Sequence, residues 1–198
     1  MENDFFTKLA FETQPKDLRP GKVLISEPFL NDPNFVRSVI LIIQYSKEEG
    51  AFGLILNKPL ETDMTTIIKS FPQSGFDFHY GGPVGEENLF FIYDSNTALN
   101  ASEKITNDLS WNGDFEELQE RITLGKTSSN NVKFFGGYSG WSPGQLESEM
   151  AEKSWIIGEL TKDEILTGDP NTLWKKALRP LGRKYSVMAE FPKNPELN

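Results

Sequence analysis

The run Gly140-Trp141-Ser142-Pro143-Gly144 matches G-x-S-x-G, the elbow that presents a serine nucleophile to an acyl carbon. Two physical points stand against it. The oxyanion hole of that arrangement uses the N–H after the serine, and Pro143 has none. The base normally follows the serine along the chain, whereas the single histidine, His79, precedes it. Read as structure, Ser142 suits a helix N-cap, Pro143 position N1 and Gln145 position N3 of a capping box. Glu149 and Lys153 then form an i,i+4 pair on that helix. A hydrolase using Ser142 stays a minor alternative.

Other chemistry-bearing patterns fail more quickly. Leu124-Gly125-Lys126-Thr127 ends like a phosphate-binding loop, but the position that needs the first glycine is Glu120. A helix C-cap followed by a polar loop accounts for it. The absence of Cys removes thiol nucleophiles, zinc-thiolate sites and disulfides. His79 has no partner in a ligand pattern and reads as a hydrogen-bonded structural residue on a strand beside Tyr80. Carboxylates are plentiful, but none is spaced for metal or acid–base work, so neither a metal nor a cofactor is expected. The chain reads as a non-enzyme.

What stands out is glycine next to aromatic residues. Tyr80-Gly81-Gly82-Pro83-Val84-Gly85 and Phe135-Gly136-Gly137-Tyr138-Ser139-Gly140-Trp141 are loops by this reading, and so much glycine is costly in backbone entropy unless positive φ or close approach requires it. Asn57, Gly81, Gly82, Pro83, Tyr138, Trp141 and Gln145 are therefore the candidate surface. It would be one patch that recognises a small ligand or a protein partner through rigid aromatic contacts. The alternative is that Trp141 plugs the interior and the glycines merely permit turns.

Charge narrows the partners. The net charge of -9 repels phosphates, and direct DNA binding is not expected. The densest basic stretch, residues 175–184, is the one place where nucleic acid could be touched locally; a solvated helix face is the simpler reading. The acidic N-terminus lacks the pattern of a signal peptide, and the longest apolar run, 39–43, is too short to span a bilayer. A cytoplasmic protein is expected, without membrane contact.

The elements that must position these residues read as follows. Residues 1–20 form an extension, with Phe5 and Leu9 one helical turn apart. Strands are expected at 22–26, 38–43 and 52–56, near Phe78, and at 89–93, 132–135 and 155–160. The second of these, apolar without alternation, is a central strand buried on both faces. Phe115, Leu118 and Ile122 recur at helical spacing, giving an amphipathic helix over 113–123 that Gly125 stops. Thr161-Lys162-Asp163-Glu164 is a capping box, and Asp169-Pro170 a cap followed by an N1 proline. Strands dominate the first half and helices the second, without regular crossovers. That pattern predicts an α+β fold with a mostly antiparallel, strongly curved sheet, in one domain over 1–198 whose residues 183–198 form a tail.

Several stretches together carry a family likeness. They are residues 21–28, the hairpin Gly50-Ala51-Phe52-Gly53-Leu54-Ile55-Leu56-Asn57-Lys58-Pro59, Gly81-Gly82-Pro83-Val84, and Gly137-Tyr138-Ser139-Gly140-Trp141-Ser142-Pro143-Gly144-Gln145-Leu146-Glu147, followed by Glu149 and Trp155. In this order, over about residues 18–182, the chain resembles the YqgE/AlgH family, small bacterial proteins of unresolved biochemical activity. The resemblance implies a branching, coiled sheet that closes into a pseudo-barrel flanked by helices. Some members are labelled transcriptional regulators, without an established DNA-binding mechanism. The family brings no catalytic residues to carry over. A regulatory or binding protein acting through a ligand or protein partner is the function it implies.

Overall fold

The computed structural model describes residues 17–192, so the expected helical turn with Phe5 and Leu9 lies outside the described residues. Ten strands and six α-helices alternate along the described chain: β1 (Val23–Ser26), β2 (Val39–Ser46), β3 (Gly50–Ile55), β4 (Pro59–Asp63), α1 (Met64–Ile67), β5 (Asp77–Tyr80), β6 (Val84–Asp94), β7 (Glu103–Lys104), β8 (Leu109–Trp111), α2 (Phe115–Thr123), β9 (Val132–Trp141), α3 (Gln145–Ala151), β10 (Trp155–Gly158), α4 (Lys162–Thr167), α5 (Pro170–Leu178) and α6 (Arg183–Met188). The strands form one curled sheet, a half-barrel, in the order β10-β1-β2-β3-β9-β6-β8-β7, with β5 beside β9 and β4 beside β5. Every pair is antiparallel except β5 with β9. The fold is α+β.

β2 shows why the curl is stable. Its edges pair with β1 and β3, and both faces are covered: Val39, Leu41 and Ile43 are buried in one cluster and Ile40 and Ile42 in another. β1 divides its side chains by alternation. Val23 and Ile25 join a core with Leu41, Leu54, Leu173 and Trp174, under α4, α5 and α6. Leu24 turns to the other face, where it packs with Ile40, Trp141, Leu146 and Trp155 beneath α3. A third, phenylalanine-rich cluster, including Phe71, Phe76, Phe91 and Phe134, lies under α1 and α2. One irregularity, between Ile42 and Gln44, bends β2 where the hairpin with β3 leaves the core.

The sheet branches at β9. One edge of this strand belongs to β6; the other is shared, with β3 pairing at Gly53–Ser139 and β5 pairing at Tyr80–Gly136. Gly81 sits at the handover. Its N–H donates to the Gly136 carbonyl at 2.8 Å, and its carbonyl accepts from the Ile55 N–H at 3.0 Å and the Ser139 hydroxyl at 3.1 Å.

Two sequence expectations need correction here. The stretch 135–141, read as a loop, is the second half of β9, because its backbone groups find partners on β3 and β6. The tail expected from residue 183 contains α6, which buries Tyr185 and Met188 against the α5 side of the core; its last residues, 193–198, lie outside the described part. The capping box of α4 at Thr161 and Glu164, and the Asp169 cap with Pro170 on α5, form as read. Helix α2 begins one residue after Asp114, its N-cap, and Gly125 at φ +67 follows its end.

Candidate functional site

On the face of β3 and β9 lies an open groove of about 740 Å³, bordered by Tyr45, Phe52, Val84, Tyr138, Trp141 and Pro143, with Pro20 at one side. Strand register builds its floor. Phe52 pairs with Gly140, so the space beside it takes the Tyr138 ring from two residues earlier on β9. A side chain at Gly140 would meet the Tyr138 ring at 2.9 Å. Phe52 and Tyr138 rings lie 4.7 Å apart, Phe52 and Phe90 5.3 Å, and Phe52 and Trp111 5.3 Å. At the rim, Val84 is 40% exposed. The Tyr45 hydroxyl donates to Glu147 of α3 at 2.6 Å. Burial first, then that hydrogen bond, push the Tyr45 phenol up to about 12, so it stays a donor at physiological pH.

The structure brings together two of the seven candidate residues, Tyr138 and Trp141, on this groove. The rest have other work. The Asn57 amide bridges the backbone entering β2: its Oδ1 accepts from the Val39 N–H at 2.8 Å and its Nδ2 donates to the Arg37 carbonyl at 2.9 Å. Gly81 and Gly82 are buried against the backbone of β9, and neither they nor exposed Pro83 line the groove. Gln145 is exposed at the start of α3, where its Oε1 accepts from the Ser142 N–H at 3.0 Å and its Nε2 donates to Glu149 at 2.9 Å. Asn57→Ala would leave a buried N–H and a carbonyl without partners, and a loss of about 1–3 kcal/mol is expected in urea unfolding. An unchanged midpoint would mean that water replaces the amide.

Trp141 borders the groove, yet its indole is a core element. The residue is 6% exposed, with its ring edge-on to Trp155 at 5.9 Å and stacked on Phe35 at 6.4 Å. Glu149 explains why. Its Oε2 accepts from the Trp141 indole N–H at 2.9 Å and from the Trp155 indole N–H at 2.7 Å, so one carboxylate satisfies two buried donors. The expected Glu149–Lys153 pair is not formed. Helix α3 ends at Ala151, and Lys153 turns away at φ +68. The expected cap is also displaced: Gly144, not Ser142, is the N-cap of α3, and Ser142 contributes its backbone N–H rather than its hydroxyl.

Ser142 and His79 line different cavities, so no serine–histidine pair is assembled between them. His79 is a buried residue of β5 as expected; the backbone carbonyls of Phe134 and Asp77 act on its ring, while its Nδ1 has no close partner. The basic stretch is partly neutralised: Glu190 accepts from Lys175 at 2.9 Å and from Arg179 at 3.0 Å. No helix among the described residues is long and apolar enough to cross a membrane.

A family model described as AlgH-like matches residues 23–186. A UPF0301 protein of Cytophaga hutchinsonii is 40% identical over 185 residues, covering 91% of this chain and 100% of the relative. Another, from Bacteroides fragilis, is 40% identical over 191 residues, covering 95% and 96%. The fold matches a crystal structure of a Corynebacterium diphtheriae protein with a TM-score of 0.77 at 22% identity, covering 96% of this chain and 100% of that one. It also matches the solution structure of the AlgH protein of Pseudomonas aeruginosa, with a TM-score of 0.69 at 21% identity and coverages of 91% and 97%.

Proposed function

Since the chain belongs to the AlgH-like family, we propose that it is a non-enzymatic regulatory protein of the bacterial cytoplasm, which acts by receiving a protein partner in the groove over β3 and β9. The observation that carries this reading is the groove's form. Small-molecule sites usually enclose most of the ligand. This one is open, with an aromatic floor of Phe52 and Tyr138 and an exposed apolar rim residue, Val84. Rigid aromatic surface of that kind suits a protein segment, because little rotamer freedom is lost on contact. The label of transcriptional regulator, which the resemblance suggests, then describes an effect exerted through a protein. The net charge of -9 and the Glu190 pairs with Lys175 and Arg179 speak against phosphate as the direct contact.

The test uses the full chain and a Val84→Glu variant as parallel baits in lysate of the native cells, with each enriched protein then purified and titrated by calorimetry. At least one partner should bind wild type about tenfold or more tighter than the variant, a difference of about 1.4 kcal/mol. Equal binding of every partner to both baits would remove the groove from the function. Duplex DNA retarded at ~0.15 M salt, and released when Lys176 and Arg183 are reversed in charge, would favour nucleic acid instead. A turnover abolished by Ser142→Ala would make the protein an enzyme.

A further inference from the structure

Lys133 lies in the sheet where a cation has little to hold it. The residue is 5% exposed, and its ammonium donates to the Leu56 carbonyl at 3.3 Å. Among the described residues it forms no ion pair. A buried ammonium with one long carbonyl contact and no ion pair is costly, because lost hydration is only partly replaced. Burial accordingly lowers its pKa to about 8, with the Asp77 charge opposing.

Strand register gives Lys133 its neighbours. β5 runs parallel to β9 with His79 beside Phe135, so alternation puts Lys133 and His79 on one face, and the same register carried back places Asp77 beside Lys133. His79 is 5% exposed, and its buried Nδ1 lacks a hydrogen-bond partner. The segment 166–170, which joins α4 to α5, crosses this face and leaves a cavity of about 240 Å³ with Lys133, His79, Asp77, Asn130, Thr167 and Asp169 among its walls.

We infer that this cavity binds a small carboxylate, with the anionic end on the Lys133 ammonium and its remaining polar groups on His79, Asn130 and Thr167. A carboxylate supplies the direct ion pair that Lys133 lacks, the Asp77 charge being near but not in contact, and reaches the imidazole beside it, whose Nδ1 has no partner. Asp77 and Asp169 on the same walls disfavour a dianion such as phosphate and would accept hydrogen bonds from a hydroxyl or ammonium group on the ligand. Hydroxy acids and amino acids of a few carbons have that combination. The cavity shares no lining residue with the groove over β3 and β9, so it stands whether or not the groove receives a partner.

His79 is the only histidine in the chain, so its ring protons report on the cavity without ambiguity. The charged groups that face it are Lys133 from β9, Asp77 from its own strand and Asp169 from the segment before α5. Burial, then the Lys133 charge, push its pKa down to about 4. A carboxylate on Lys133 offsets that positive charge and favours the imidazolium, so the midpoint should rise by about one pH unit. The full chain is titrated by NMR with lactate, with free alanine and with inorganic phosphate. Lactate or alanine should give saturable shifts of the His79 ring protons at neutral pH and raise the midpoint, whereas phosphate should do neither. Lys133→Met, which keeps most of the length of the side chain without a charge to bury, should show a higher ligand-free midpoint and no response. The proposal is overturned if the wild-type signals ignore both carboxylates, if phosphate alone moves them, or if the response survives in Lys133→Met.

Discussion

Gly82→Ala is expected to destabilise the chain by more than about 4 kcal/mol, or to prevent folding outright. A Cβ at this position would lie 2.2 Å from the Tyr138 carbonyl carbon, 2.3 Å from its oxygen and 2.4 Å from the Ser139 nitrogen. All three atoms belong to the backbone of β9, which is held by β3 on one side and β6 on the other. No side chain can swing away to make room. The residue also has φ +150, a conformation that a side chain disfavours whatever the space. Gly144→Ala is the matched control. Its φ is +79, but a Cβ there meets nothing within 4 Å, so only the backbone preference is lost, at about 1–2 kcal/mol. Urea unfolding followed by tryptophan fluorescence separates the two. Equal losses would mean that β9 yields, and the close-packed branch point would be the wrong explanation for the glycines.

Trp141→Ala should lower stability by about 3–5 kcal/mol, the usual range for removing a buried aromatic ring. The ring packs between Phe35 and Trp155 and fixes α3 to the sheet through Glu149. Trp141→Phe divides this effect. Phenylalanine keeps most of the ring contact but removes the indole N–H, so a smaller loss of about 1–3 kcal/mol is expected. Glu149→Ala should exceed that loss, because two indole donors, from Trp141 and Trp155, then lack their acceptor. If Trp141→Ala cost under 1 kcal/mol, the indole would have to be a solvent-facing contact, and a place for it in the recognition surface would return.

The parts of the fold that were legible in the sequence are those dictated by local chemistry. The unbroken apolar run at 39–43 could be satisfied only by a strand covered on both faces, and β2 is that strand. Thr161 with Glu164, and Asp169 with Pro170, carry their helix starts in a few adjacent residues. What escaped depends on partners remote in sequence. Residues 136–141 are rich in glycine and look like loop, and only the approach of β3, β5 and β6 turns them into a strand. β4 is polar and partly exposed, so it gives no periodic signal. Lys133 follows an apolar residue in a short strand and looks like an outward-facing lysine; the α4–α5 segment that covers it is more than thirty residues away.

The candidate surface divides in the same way. Tyr138 was recognisable because an aromatic ring set among glycines has nearby space to fill, and it does form the groove floor. Asn57 had the right residue type for a ligand contact, but its amide closes a backbone gap between residues 37 and 39 that no pattern reveals. Glu149 is one of three glutamates, with Glu147 and Glu152, between the tryptophans at 141 and 155, and nothing in the sequence singles it out. Its double acceptance required coordinates.

The position of β9 along the chain also constrains how the protein is made. β3, β5 and β6 all depend on a strand that is translated only at residues 132–141, and β1 waits for residues 155–158 to cover its outer edge. For most of its synthesis, the nascent chain therefore carries apolar strands with open edges that can pair with a neighbour on the same polysome. The pairings that close the sheet are long-range, which slows the final collapse. A chain that has emerged only as far as residue 131 is missing β9 and leaves these edges open, and one that has emerged past residue 158 carries a strand set able to close on itself.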